Sequence, residues 1–316
     1  MVITMDKIKS VKIGDRATMA LKFQSVQIKK TTANDDYASL IGFDTEDLIE
    51  VKIWSLPEDK KSLLKNGEIY IATGTIKDYQ GKKQFNVSDF RLALDEEVNK
   101  DLFYEYAPLS KVELQTKISS YINKIKNQNL KTIVYTAIKK YVDAYFEFPA
   151  AVSIHHNFIH GLAYHVYSML TLSDVYLKLY NYLNSDLVYA GIILHDIGKV
   201  KELSGSKGVE YTKRGNLLGH ITLGANMINM ICEELGLGDS EEAIALEHII
   251  LSHHGLYEYG SPKEPLMGEA ALIYMLDYSD SRFASLEKFY KNTNKGEYTD
   301  PIFAFDKKSF YVPNIE

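Results

Sequence analysis

Between residues 16 and 94 apolar and polar residues alternate with the period of two that marks half-buried β-strands. Met19, Leu21 and Phe23 share one phase and Val26 and Ile28 the other, so a bulge is predicted inside one long strand. The polar run 29–36 predicts a loop, Tyr37–Asp44 a second strand, and Ile49, Val51 and Ile53 a third. Pro57 opens a short helix with acidic residues in its first turn and Asn66-Gly67 at its end. A fourth strand over Glu68–Asp78 and a fifth carrying Phe85, Val87, Phe90 and Leu92 flank a hairpin turn at Gly81. From residue 111 the period becomes helical, through Leu114, Ile118, Ile122 and Ile125 and then Ile133, Val134, Ile138 and Tyr141. Further amphipathic helices are predicted near 160–181, 186–199, 217–235, 240–253 and 267–290, with a turn-rich insert at 204–216 that has room for a short hairpin. After 296 Phe303, Phe305, Phe310 and Tyr311 follow no period, which predicts a tail packed across a surface.

Three strands, a helix and two strands is the order of an OB-fold, a small Greek-key barrel whose L12 and L45 loops bind oligonucleotides. The pattern therefore predicts a two-domain α+β chain: a five-stranded OB-fold barrel at 1–95, a helical connector at 96–154, and an all-α bundle with a C-terminal tail at 155–316. The two loops would be 29–36 and 79–83. They carry Lys29, Lys30, Lys82 and Lys83, with Tyr37, Trp54 and Tyr79 nearby. Lysines track a nucleic-acid backbone and exposed rings stack on bases, although the same aromatics would serve equally as barrel core.

Composition narrows the classes. At 46% hydrophobic and 25% charged residues, the 316-residue chain is globular rather than disordered. The single cysteine, Cys232, sits at helical core spacing and excludes an intrachain disulfide framework. No signal peptide and no apolar stretch approaching 18 residues is present, so a cytoplasmic protein without membrane attachment is expected. The net charge of −6 argues against a uniformly basic nucleic-acid binder. The charge is uneven, however: +1 over residues 1–95, +1 over 96–155 and −8 over 156–316. Between 111 and 140 there are seven lysines and one acid, either a solvated face or a rail for phosphates.

All nine histidines lie between 155 and 254: His155, His156, His160, His165, His195, His220, His248, His253 and His254. The adjacent pair His195-Asp196 ends an apolar helix in the run LHDIGK. Neighbours on a helix point about 100° apart and so serve different partners. A carboxylate has two oxygens, enough to hold two cations, and imidazole suits first-row transition metals. His165, His220, the His253-His254 pair and Asp277 fall on separate predicted helices, each able to project into a bundle core.

This order, H…HD…H…HH…D centred on HDIGK, resembles the HD-domain metal-dependent phosphohydrolases over roughly 155–285, with LLGHI, LSHHG and LDYSDSR matching closely. With an OB-fold in front, the chain resembles the YhaM-type 3′–5′ exoribonuclease family. The resemblance implies two divalent ions, most commonly Mn²⁺, with other first-row metals open. His165, His195, Asp196 and Asp277 would hold one, and Asp196 would bridge to a second on His220, His253 and His254. Lys199 would contact the scissile phosphate, Asp196 and Lys199 thereby carrying the catalysis, and Asp280 would orient a ligand or a water. His156 and His160 would contact substrate or cap a helix, as would His155; His248 is read as structural, and Ser168 as a site helper or a packed helix serine. Two cations lower the pKa of a shared water and neutralise the phosphoryl oxygens.

Single-stranded RNA is the implied substrate, with single-stranded DNA and self-association left open. Two other functions compete. One is an HD phosphohydrolase of a dNTP, an alarmone or a cyclic dinucleotide, although HHGLYEYGSP lacks the Gly-Tyr-Pro signature of the cyclic-dinucleotide enzymes. The other is a single-stranded DNA-binding protein, which would not require the complete ligand set.

Overall fold

The computed structural model describes residues 5–152 and 156–315, so His155 lies outside the described residues. The chain separates into two compact units, residues 1–105 with 207–209, and residues 106–206 with 210–316.

In the first unit β1 (Arg16–Lys30), β2 (Asp36–Phe43), β3 (Leu48–Ile53), β4 (Ile69–Tyr79) and β5 (Lys82–Leu92) close a barrel in the order β1-β2-β3-β5-β4, with α1 (Glu58–Lys61) between β3 and β4. All neighbours are antiparallel except β3 and β5, the parallel pair expected of this Greek-key closure. The alternation seen in the sequence is the inside and outside of the barrel: Met19, Leu21, Phe23, Val51 and Phe85 are fully buried. The predicted bulge is present, with a register shift between Gln24 and Gln27 and Ser25 at φ 53°. The helix is shorter than the sequence suggests, four residues with none buried, so packing does not extend it. This unit also continues past residue 95. A 3₁₀ turn over Lys100–Phe103 inserts Phe103 beside Ile69, Ile71 and Ala93.

The second unit contains α2 (Lys111–Lys124), α3 (Gln128–Lys140), α4 (Val142–Glu147), α5 (Gly161–Leu179), α6 (Ser185–Leu194), α7 (Lys199–Glu202), α8 (Lys213–Glu234), α9 (Glu241–Ser252) and α10 (Gly268–Lys291). Here the expectation of a separate connector needs correction. Leu114, Ile118, Ile133, Val134 and Tyr145 of α2–α4 share one core with Leu162, Val166, Ile193 and Ile249 of the histidine-bearing helices. An apolar helix face must be buried against something, and a helical period does not say in which core. Three of the seven lysines between 111 and 140 pair with acids, Lys111 with Glu147, Lys124 with Asp174 and Lys140 with Glu234, which fits a solvated, salt-bridged face. The 204–216 insert closes with an antiparallel bridge between Leu203 and Tyr211, and the tail folds back through bridges Tyr298↔Tyr311 and Ile302↔Lys308. Among the described residues no helix is long and apolar enough to cross a membrane.

Cys232 is fully buried in the core, and burial pushes its thiol up to about 11. Thiolate is the reactive form. Iodoacetamide at pH 8 is therefore expected to leave the native protein unmodified and to label one site per chain after unfolding, as read by intact mass.

Candidate metal centre

Five helices, α5, α6, α8, α9 and α10, and one turn assemble the site. α6, whose residues Val188 to Leu194 are all buried, drives its C-terminal end into the core and carries His195 at its C-cap. The chain then turns through 195–198 and restarts as α7 at Lys199. Gly198 makes this turn possible, since a Cβ there would lie 1.9 Å from the His220 carbonyl oxygen of α8. The glycine of HDIGK is thus what lets His220 approach Asp196. Inside α8, Gly219 adopts φ 70° and ψ 158°, kinking the helix immediately before His220. His253 caps the C-terminus of α9, with His254 next to it. His165 and Asp277 lie within α5 and α10.

These groups converge on Asp196. Its Oδ2 lies 3.4 Å from His195 Nε2 and 3.9 Å from His165 Nε2. Its Oδ1 lies 3.4 Å from His220 Nε2 and 3.6 Å from His253 Nε2. Asp277 Oδ1 is 3.2 Å from His165 Nε2, and Lys199 Nζ is 2.7 Å from Asp196 Oδ2. Each imidazole is held by its other nitrogen. His195, His253 and His254 donate Nδ1–H to the carbonyls of Ile192, Ile250 and Tyr259 at 2.7, 2.7 and 2.8 Å. His165 donates to Asp280 at 2.7 Å and His220 to Glu202 at 3.2 Å. That arrangement orients the rings and turns the Nε2 edge of all five toward the centre.

The electrostatics suit cations. Burial opposes charge on Asp196, yet Lys199 and His195 hold its carboxyl well below the usual range. Asp277 is likewise depressed despite burial, chiefly through the hydrogen bond with His165. Burial pushes His253 and His254 down, which keeps both imidazoles neutral, the form that ligates. His165 differs: burial opposes its charge, but Asp277 and Asp280 outweigh it and lift its pKa to about 10. A cation entering there must displace that proton. The donor set passes a direct test of fit. Asp196 Oδ1, His220 Nε2 and His253 Nε2 are buried atoms without a hydrogen-bond partner, all at one point. Buried polar atoms are rarely left so, and an unplaced ion is a standard reason. Two groups, His165–His195–Asp277 and His220–His253–His254, each offer three ligand atoms within 4.8 Å of one another, enough to begin a cation site.

Comparison with known proteins now adds the family. Residues 162–282 match the HD domain, and with it the chain carries a divalent-metal site. The chain is 39% identical over 306 residues to the "3'-5' exoribonuclease YhaM" of Listeria welshimeri serovar 6b, covering 96% of this chain and 97% of that protein. The proteins of that name from Listeria monocytogenes serovar 1/2a and Listeria innocua serovar 6a are also 39% identical, over 307 and 306 residues, with the same coverage. The chain belongs to the YhaM 3′–5′ exoribonuclease family.

The positions that the YhaM resemblance marks as ligands, His165, His195, Asp196, His220, His253, His254 and Asp277, are brought together, with Lys199 among them. His156 and His160 are not placed against the cleft that opens from this centre. His156 is buried, its Nε2 2.8 Å from Asp280 Oδ2, and His160 binds the Phe146 carbonyl at 2.6 Å from the N-cap position of α5. Each ring thus has a partner in the frame of the second unit, in keeping with the helix-end alternative to substrate contact. His248 accepts from the Leu266 amide, a structural role. In the barrel Trp54 and Tyr79 are about half exposed, at 48% and 53%, and so are not core. Tyr37 stacks on Trp54 with centroids 5.1 Å apart, and Lys29 is its partner in the β1–β2 register. Tyr79 and Lys82 pair across the β4–β5 hairpin. Lys30 is paired with Asp36, and Lys83 donates to the Ile8 carbonyl, leaving Lys29 and Lys82 as the exposed lysines of the set without an ion pair among the described residues.

Several residues escape the sequence pattern. Glu202 is buried and accepts from both the backbone and the ring of His220. Asp280, already named by the resemblance as orienting a ligand or a water, is a hub for His156, His165 and the Ser168 hydroxyl. Arg282, Phe303 and Lys307 line the 760 Å³ cleft together with Lys199, His220 and Asp277. Asp280→Asn keeps the shape but weakens the orientation of His165, and such outer partners typically change metal affinity about 10- to 100-fold. Calorimetric titration with Mn²⁺ is expected to show a loss of that size, with the thermal unfolding midpoint of the metal-loaded variant lowered.

Proposed function

We propose that this chain removes nucleoside 5′-monophosphates one at a time from the 3′ end of single-stranded RNA, using two divalent ions, with Mn²⁺ the preferred pair. The observation that supports this reading most is the convergence on Asp196, whose two oxygens each face two imidazole Nε2 atoms at 3.4–3.9 Å. His165, His195, Asp277 and Asp196 Oδ2 would hold one ion, and His220, His253, His254 and Asp196 Oδ1 the other. When bound, such a pair lowers the pKa of a water and neutralises phosphoryl oxygens.

The chain's own residues do the rest. Water would add to phosphorus as the bond to the 3′-oxygen of the penultimate nucleotide breaks, and that oxygen would take up a proton in balance with the one the water loses, so that the shortened strand leaves with a 3′-hydroxyl. Lys199, raised above the ordinary lysine range because Asp196 outweighs its burial, keeps its positive charge where negative charge develops. Lys29, Lys30, Lys82 and Lys83 would track the strand and Tyr37, Trp54 and Tyr79 would stack on its bases. His156 would act only through Asp280.

The test is 5′-labelled single-stranded RNA incubated with metal-stripped protein and then with added Mn²⁺. A descending ladder with 5′-monophosphates, absent before metal addition, is expected. Intact RNA beside rapid hydrolysis of a dNTP or an alarmone would instead make the 760 Å³ cleft a small-nucleotide site, a size it also fits.

A further inference from the structure

The wall of the cleft facing the metal centre comes from a segment with no helical or strand period. Residues 298–311 fold back on themselves through the bridges Tyr298↔Tyr311 and Ile302↔Lys308. Ile302 and Thr299 are buried, and Thr299 Oγ1 accepts from the Phe310 amide at 3.0 Å, so the segment is anchored. Its tip nevertheless presents Phe303, 73% exposed, and the side chains of Asp306 and Lys307 to the cleft.

The turn chemistry at the tip is unusual. Asp306 at φ 53° and Lys307 at φ 61° are consecutive left-handed residues, and the Lys308 amide donates to the Phe305 carbonyl at 3.0 Å. That is the arrangement of a type I′ turn, in which Asp suits the first position and Gly the second. Lysine at the second position costs conformational strain, and strain of this kind gathers at functional sites. Opposite, Arg282 lies 4.0 Å from the centroid of Tyr278 and 5.6 Å from that of Phe305, a guanidinium pre-oriented between two rings. Among the described residues Arg282 and Lys307 form no salt bridge, although both line a cleft that Asp277 and His220 also line. Lys199, by contrast, is paired with Asp196.

We propose that the C-terminal hairpin and α10 form a nucleotide subsite beside the metal centre. Arg282 and Lys307 take the phosphate of the nucleotide next to the scissile bond, and Phe303 with Tyr278 takes its base. The tail thereby makes a polynucleotide a better substrate than a single esterified nucleotide. This rests on the exonuclease reading above and adds the element that discriminates substrate length.

The experiment compares wild type with Phe303→Ala, Lys307→Gly and Arg282→Gln. The substrates are a tetraribonucleotide and the p-nitrophenyl ester of uridine 5′-monophosphate, which has one phosphate and no neighbouring nucleotide. Lys307→Gly removes the side chain while suiting the left-handed backbone, so its unfolding midpoint should not fall. For each variant kcat/KM on the tetraribonucleotide is expected to drop about tenfold, mainly through KM, and the preference for the longer substrate to shrink by a similar factor. Loss of one phosphate contact should also flatten the slope of log KM against log salt by about 0.7 for Lys307→Gly and Arg282→Gln. Equal losses on both substrates, or an unaltered salt slope, would overturn the subsite while leaving the exonuclease reading intact. A wild type that cleaves the ester but not the tetraribonucleotide would overturn that reading, and the subsite with it.

Discussion

Asp196→Asn is expected to lower kcat/KM on single-stranded RNA by at least about a thousandfold, roughly 4 kcal/mol of barrier. The reason lies in the two carboxylate oxygens. Oδ1 faces His220 and His253, and Oδ2 faces His195, His165 and the ammonium of Lys199. An amide has one oxygen and a donor in place of the other. It therefore cannot serve two cations, and on one side it turns N–H groups toward either the imidazole Nε2 atoms or the ammonium of Lys199. The substitution also removes the negative charge that keeps Lys199 protonated against full burial. The loss should persist as Mn²⁺ is raised, because the missing oxygen is not restored by mass action. Circular dichroism of the variant should match wild type, since the surrounding core from Val188 to Leu194 is untouched. Activity within tenfold of wild type would mean that the reaction does not pass through this carboxylate.

Trp54→Ala combined with Tyr79→Ala is expected to weaken binding of a long single-stranded RNA by about 10- to 100-fold. Base–aromatic stacking is worth roughly 1–3 kcal/mol per ring, and the two rings need not act additively. Trp54 is pre-oriented by its stack on Tyr37, and Tyr79 stands exposed at the β4–β5 hairpin, so little ordering cost remains to be met on binding. Trp54 is the chain's only tryptophan, so its fluorescence should quench as RNA is added. Loss of affinity should exceed loss of activity on a small phosphodiester. Unchanged RNA affinity in the double variant, or no quenching in wild type, would make the barrel a structural element.

The parts legible in the sequence were those with a period or a fixed spacing. Met19, Leu21 and Phe23 set against Val26 and Ile28 located a bulge to within a residue, and HDIGK with its separated partners located the centre. What escaped depends on contacts remote in sequence. The Glu202–His220 hydrogen bond joins residues 18 positions apart, and nothing in its local sequence distinguishes Glu202 from a solvated glutamate, whereas Asp280 is marked by the LDYSDSR resemblance. For His156 and His160 two roles stay open in the sequence, because an imidazole that supports a ligand and one that touches substrate look alike there. Phe303 and Lys307 are not marked as cleft residues for a different reason. The tail has no period, and its position beside the cleft follows from the buried Ile302 and Thr299, not from any repeat. The boundary near 96 failed because Phe103 contributes to the barrel unit's core while α2–α4 contribute to the other, and hydrophobic periodicity carries no domain label.

The central claim is that two divalent ions flank the Asp196 carboxylate. Crystals grown with Mn²⁺ and measured at its absorption edge test this most directly. Two anomalous peaks are expected, one among His165, His195 and Asp277 and one among His220, His253 and His254, with both lost or much reduced in Asp196→Asn. No peak at Asp196, or a single peak displaced to the third cluster of ligand-type side chains at His156, His165 and Asp280, would contradict it.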